Sequence, residues 1–194
     1  MKQTTIVSNL QKPVFRVEDC NCLDDGLFKF IFGRPEHKAF TIDLLNTFLA
    51  DELGHKITDL TFDPQEMSPD HEDGKETRLD VACTLDSGEM VDIEVQMLDP
   101  KNMRQRIQYY WSVRYHLKLS KGDSYSKLVP MITFNVLNFV LFEDDPEPFS
   151  SWGICNLKTH ERLSKDLSFN FLEIPKFNKQ LKSGQPLKIG RAHV

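Results

Sequence analysis

Residues 77–96 read TRLDVACTLDSGEMVDIEVQ. In the first arm Leu79, Val81, Cys83 and Leu85 fall on one side and Asp80, Ala82 and Thr84 on the other, the period of two expected of a half-buried strand. Asp86-Ser87-Gly88-Glu89 has the composition of a tight hairpin turn. The return arm sets Val91, Ile93 and Val95 on one face and Asp92, Glu94 and Gln96 on the other. An antiparallel hairpin with one apolar face and one acid-bearing face follows, and it decides how the flanking segments are read.

Upstream, DGLFKFIFG (residues 25–33) is a compact aromatic element closed by Gly33 and Pro35, read as a short helix or turn tucked against a core. From Pro35 to Leu53, Phe40, Leu44, Leu45, Phe48 and Leu49 recur at helical spacing, and Gly54 supplies the stop. Ile57–Phe62 reads as a short strand and Asp63–Lys75, rich in proline and acids, as a loop. Downstream, a second helix is predicted from Lys101 to about Ser120. Its middle holds Tyr109, Tyr110, Trp111 and Tyr115, aromatic residues at a spacing that more often packs a core than meets a ligand. The run LVPMITFNVLNFVLF (128–142) is too continuous for an exposed surface and suits a central strand buried on both faces. Strands are also predicted over Trp152–Leu157 and Leu167–Ile174. Helix, hairpin, helix, strands is the order of an α/β domain.

Composition narrows the function classes. The chain has 194 residues, 40% hydrophobic and 27% charged, which suits one folded domain and excludes a disordered or fibrous protein. Its 24 Lys+Arg against 29 Asp+Glu leave a net charge of −5, so contact with nucleic acid requires a local basic patch. Such a patch exists on the second helix and just beyond it: Lys101, Arg104, Arg106, Arg114, Lys118 and Lys121, with His116 and no acid among them. No apolar run is long enough to span a bilayer and the N-terminus lacks an apolar signal core; a cytoplasmic protein without a membrane partner is expected. Cys20, Cys22, Cys83 and Cys155 are too few and too scattered for a disulfide scaffold, and no second pair or histidine completes a zinc site with Cys20 and Cys22.

The chemistry is sought on the polar face of the hairpin. Residues two apart on one strand lie about 6.6 to 7 Å apart, so Asp80 on one arm and Glu94 on the other can converge. A hard cation such as Mg²⁺ is typically held by one or two carboxylates, waters and a substrate phosphate; Asp80 and Glu94 offer the carboxylates and the carbonyl of Val95 a further oxygen. Such an ion would polarise a phosphodiester and ease formation of hydroxide. The commonplace alternative is a row of acids on a solvated sheet face. Asp92 fits either a supporting acid or that solvated row, and Asp43 an exposed helix position.

Asp80 followed fourteen residues later by Glu94-Val95-Gln96, between two helices, resembles the PD-(D/E)xK nuclease superfamily. The segments DDGLFKFIFG, DLLNTFL, RLDVACTLDSGEMVDIEVQM, RQRIQYYWSVRYHLKLSKGDSY, LVPMITFNVLNFVLF and FLEIPKF are similar to those of the PD-(D/E)xK nuclease-family transposases, also called recombination-promoting nucleases, over roughly residues 24–178. The resemblance implies a restriction-endonuclease-like mixed β-sheet core flanked by helices. It also implies a metal-dependent DNA endonuclease associated with transposition or recombination, with Asp80 and Glu94 as ligands of Mg²⁺ and Mn²⁺ as a substitute. The superfamily usually ends its motif in lysine, whereas this family commonly has glutamine, as here at Gln96. A neutral amide can orient a water but supplies no positive charge. DNA contacts are expected from Arg104, Arg106 and Arg114, and from Lys29, which either meets a phosphate or pairs with an acid. The alternative is a catalytically inactive nucleic-acid-binding or protein-interaction module on the same scaffold, and a homodimer is an admissible assembly. Residues 1–23 form a polar N-terminal segment, 179–188 the start of a C-terminal region expected to continue further, and 189–194 a tail read as non-native.

Overall fold

The computed structural model describes residues 23–64, 66–67, 77–78 and 80–184. Helix α1 (Asp25–Phe32) starts where the Asp24 carboxylate accepts the Leu27 N–H at 3.2 Å, and closes with the Gly33 N–H on the Lys29 carbonyl. A 3₁₀ turn, Pro35–His37, leads into α2 (Lys38–Leu53), which stops at Gly54 in the left-handed conformation, φ 79°. The predicted boundaries of this helix therefore hold, except that its first turn is wound tighter.

The strands are β1 (Leu60–Phe62), β2 (Glu66–Met67), β3 (Thr77–Arg78), β4 (Val81–Leu85), β5 (Met90–Gln96), β6 (Met131–Leu137), β7 (Phe149–Trp152) and β8 (Leu167–Glu173). Six of them form one mixed sheet in the order β1-β4-β5-β6-β8-β7, while β2 and β3 pair separately. β4 and β5 are antiparallel, β6 is parallel to both β5 and β8, and the two edge strands are antiparallel to their neighbours. With four α-helices among the described residues, this is a mixed α/β architecture consistent with a restriction-endonuclease-like fold.

Both faces of the sheet are covered. On one, Phe28 of α1 and Leu45, Phe48 and Leu49 of α2 pack with Val81, Cys83, Val91, Ile93 and Phe134. On the other lies α3 (Met103–His116): Met103 and Ile107 pack with Leu137, Phe142 and Phe171, and Tyr110 with Ala82. The half-buried hairpin expected from alternation is thus buried on both sides, and β5 is buried from Met90 through Val95. The acids of β5 lie beneath α3 instead of facing solvent.

Elsewhere the structure shifts four elements, the first being β1, which begins at Leu60 and not at Ile57, whose backbone N–H and carbonyl are taken by the Asn46 amide. Strand β7 occupies Phe149–Trp152 in place of 152–157 because its register with β8 sets Phe149 against Phe48 and Phe134, at 5.3 and 6.4 Å between ring centroids. Helix α3 ends at His116, short of Ser120, and β6 is confined to Met131–Leu137 of the apolar run. A further helix, α4 (Ile174–Ser183), follows β8 directly, with Pro175 in its first turn and Gly184 at φ 68° closing it. The polar N-terminal segment with Cys20 and Cys22, most of the 63–75 loop and the 189–194 tail lie outside the described residues. Among the described residues no helix is long and apolar enough to cross a membrane.

Candidate active site

The β4–β5 register pairs Ala82 with Asp92 and Val81 with Ile93, so one further step places Asp80 opposite Glu94. Asp80 sits just before β4 and is held from two sides. Its Oδ2 accepts the Val95 N–H at 2.9 Å, and its Oδ1 lies 3.0 Å from the Lys29 ammonium of α1. Glu94 is 5% exposed. Its Oε2 accepts a long hydrogen bond from the Gln96 amide at 3.5 Å and lies 4.0 Å from the Arg106 guanidinium. Its Oε1 is buried without a hydrogen-bond partner among the described residues. Burial first, and the facing charge of Asp80 second, push the Glu94 carboxyl up to about 8, with Arg106 and Lys29 partly opposing. Asp80, Glu94, Val95, Gln96, Lys29 and Arg106 are therefore brought together at one end of β5.

The remaining predicted DNA contacts are placed differently. Arg114 is 6% exposed and forms an ion pair with Asp92, itself 2% exposed, and another with Asp63 at 2.5 Å. Asp63 also accepts the Thr84 hydroxyl at 2.9 Å. Arg114 is thus turned inward, its charge taken up by two carboxylates. Arg104 is exposed on the outer side of α3, donating to the Leu141 carbonyl at 3.1 Å with its guanidinium 4.9 Å above the Phe142 ring. Arg106 stacks over Tyr110 at 5.0 Å. Trp111 and Tyr115 stack half-buried, 4.6 Å apart, while Tyr109 remains exposed. Asp43 is exposed on α2, and burial pushes the Cys83 thiol up to about 12, leaving it unreactive.

Sequence reasoning missed Asn135. This β6 residue is paired with Glu94 in the parallel register and fully buried. Its amide donates to the Thr133 hydroxyl and the Asn170 carbonyl, both at 2.9 Å, while its Oδ1 has no partner among the described residues. Asp92, Glu94, Arg106, Tyr110, Thr133 and Asn135 line a narrow cleft of about 10 Å³ between sheet and helix. The signal was available: Thr133 and Asn135 interrupt the MITFNVL run at alternate positions, which puts both on one strand face.

The donor set suits a hard divalent cation. Two facing carboxylates disfavour each other's ionisation, and the buried Glu94 Oε1 has no donor among the described residues; a cation held by both would answer both. No cluster of three or more His, Cys, Asp or Glu side chains with metal-holding geometry occurs among the described residues, so Asp80 and Glu94 would be joined by backbone, water or substrate oxygens. That is the usual environment of Mg²⁺ and unlike that of zinc.

No curated protein and no solved structure matches the chain. The family model described as PD-(D/E)XK nuclease family transposase matches residues 22–187. That span takes in the six-stranded sheet, all four helices and every residue of the acidic hairpin site, and the chain belongs to this nuclease-transposase family.

Proposed function

We propose that the protein is a metal-dependent DNA endonuclease acting in transposition or recombination, with Asp80, Glu94 and the carbonyl of Val95 as the ligands of Mg²⁺, for which Mn²⁺ would substitute. The observation that carries the reading is that Asp80 is held at the end of β5, its Oδ2 accepting the Val95 N–H at 2.9 Å, beside Glu94, whose buried Oε1 has no hydrogen-bond partner among the described residues. The ion, when bound, supplies Lewis-acid polarisation of the phosphodiester and a lowered pKa for water. The chain's own groups do the rest. The Val95 N–H fixes the Asp80 carboxylate, beside which the Lys29 ammonium stands at 3.0 Å. The Gln96 amide, two residues beyond Glu94, orients the attacking water with its donor and acceptor. Arg106 and, further out on α3, Arg104 meet backbone phosphates and set the strand's register over the site.

Supercoiled plasmid incubated with the protein in Mg²⁺, Mn²⁺ or EDTA tests this directly. Nicking in either metal, lost in EDTA and in both Asp80→Ala and Glu94→Ala, is the expected result. Nicking that survives both substitutions would assign the activity to another site or to a contaminant.

A second reading has its own observation: both carboxylates already have a cationic neighbour, Lys29 at 3.0 Å from Asp80 and Arg106 at 4.0 Å from Glu94. An inactive nucleic-acid-binding module would keep its acids neutralised in this way. It is supported if no metal yields nicks while a salt-sensitive gel shift persists.

A further inference from the structure

Lys29 reaches the site from an element the hairpin motif does not include. Phe28, which is buried, and Phe32, half-buried, lie one turn apart on α1 with ring centroids 4.7 Å from each other, fixing the helix against the sheet. At the end of α1 the chain approaches β4 so closely that a Cβ on Gly33 would lie 3.2 Å from Val81 Cγ2. Val81 adjoins Asp80, so this contact brings the side of α1 carrying Lys29 up to the acid. The Lys29 side chain is 23% exposed, so it is partly open to solvent, and its ammonium stands 3.0 Å from Asp80 Oδ1.

We propose that Lys29 is a catalytic residue, the cation that stabilises the phosphate during strand cleavage in place of the charge that Gln96 cannot provide. The inference rests on the nuclease reading above. In hydrolysis the water oxygen bonds to phosphorus and the ester P–O bond breaks with its electron pair on the departing oxygen. That oxygen takes up a proton as the attacking water gives one up. Negative charge accumulates on the non-bridging phosphate oxygens on the way, and a nearby ammonium is worth most at that point. Among the site residues, Gln96 is neutral and the Arg106 guanidinium is stacked over Tyr110 at 5.0 Å with its Nε buried. A lysine is a compact charge on a flexible stem. With a divalent ion held by Asp80 and Glu94, the Lys29 ammonium would turn from Asp80 Oδ1 toward a phosphate oxygen beside it.

The test uses Lys29→Met in the full chain, with three readouts: plasmid nicking at saturating Mn²⁺, Mn²⁺ affinity by calorimetric titration, and the thermal midpoint. The expected result is a loss of nicking of about 100-fold or more, the scale on which a single electrostatic stabiliser acts, with Mn²⁺ bound as tightly as before or more so, since a competitor for Asp80 has gone. Nicking within about threefold of wild type overturns the proposal. So does a loss of nicking matched by a loss of Mn²⁺ binding, which would make Lys29 only a support for Asp80. Lys29→Gln, judged by the same criteria, replaces Lys29→Met if the latter does not fold. A wild-type protein that neither binds Mn²⁺ nor nicks sinks the nuclease reading and this inference with it, whereas an active wild type and an equally active Lys29→Met sink the inference alone.

Discussion

Glu94 is an ionisable group with almost no access to water, facing a second carboxylate, and its raised pKa makes the stability of the metal-free protein depend on pH. A carboxyl near 4.5 in the unfolded chain and pushed up to about 8 in the fold binds its proton more tightly when folded. Between those two values the folded state holds more protons than the unfolded state. Stability therefore falls as pH rises through that window, by at most ~1.4 kcal/mol per pH unit from this group, and levels off above it. Denaturant titrations in EDTA from pH 5 to pH 9 should show this decline. Glu94→Gln, which keeps the shape and removes the charge, should flatten it and raise stability at pH 8 by roughly 1–3 kcal/mol while abolishing nicking. A wild-type profile that rises across the same range would contradict the placement of Glu94. The sequence made this residue legible as a candidate, because alternation put it on the same face as Asp92 and Gln96. It did not reveal the burial, since the cover comes from α3, beyond the reach of a period-of-two pattern.

At the level of elements, the acid-free basic run on α3 has two explanations, divided among its residues. Arg114 meets Asp92 of β5 and Asp63, which follows β1, so the acids that balance this part of the helix are supplied from other segments, 22 and 51 residues away along the chain. Arg104 on α3, and Lys118 and Lys121 beyond its end, remain exposed. A charge run read locally looks like a nucleic-acid surface because its partners are invisible until the sheet and helix are packed. Arg114→Met would leave two buried or part-buried carboxylates without their cation. It should destabilise the protein by roughly 3–5 kcal/mol, as removal of one member of a buried ion pair does, measured by urea denaturation. Asp92→Asn in the same background should recover part of that loss by removing the most buried of the uncompensated charges. A stable Arg114→Met with a selective loss of DNA affinity would instead return Arg114 to the nucleic-acid surface. Helix α4 escaped the sequence reading for a different reason. Strand β8 passes into it at Glu173–Ile174 with no intervening loop, and only Pro175 and Gly184 mark its ends.

On the scale of the whole molecule, a net charge of −5 opposes binding to a polyanion, and on the nuclease reading the candidate site adds two carboxylates where a phosphate would approach. The cations near the site that can receive DNA are few, Lys29 from α1 on one face of the sheet and Arg104 and Arg106 from the first turns of α3 on the other, while Glu143 and Asp144 lie exposed in the loop after β6. Attraction is therefore local and limited, and a divalent ion that offsets Asp80 and Glu94 should contribute to binding as well as to cleavage. Gel shifts on short duplex DNA at fixed ionic strength, with Ca²⁺ or with EDTA, should show affinity weakened by about tenfold on chelation, equivalent to ~1.4 kcal/mol. In Asp80→Asn/Glu94→Gln, where the repulsion is gone, chelation should change little. Raising the salt should weaken binding in both proteins, with a slope that reports only a few phosphate contacts. If chelation weakens the wild type and the doubly neutralised variant equally, the ion acts on the DNA or elsewhere on the protein, and the acidic hairpin is not where it binds.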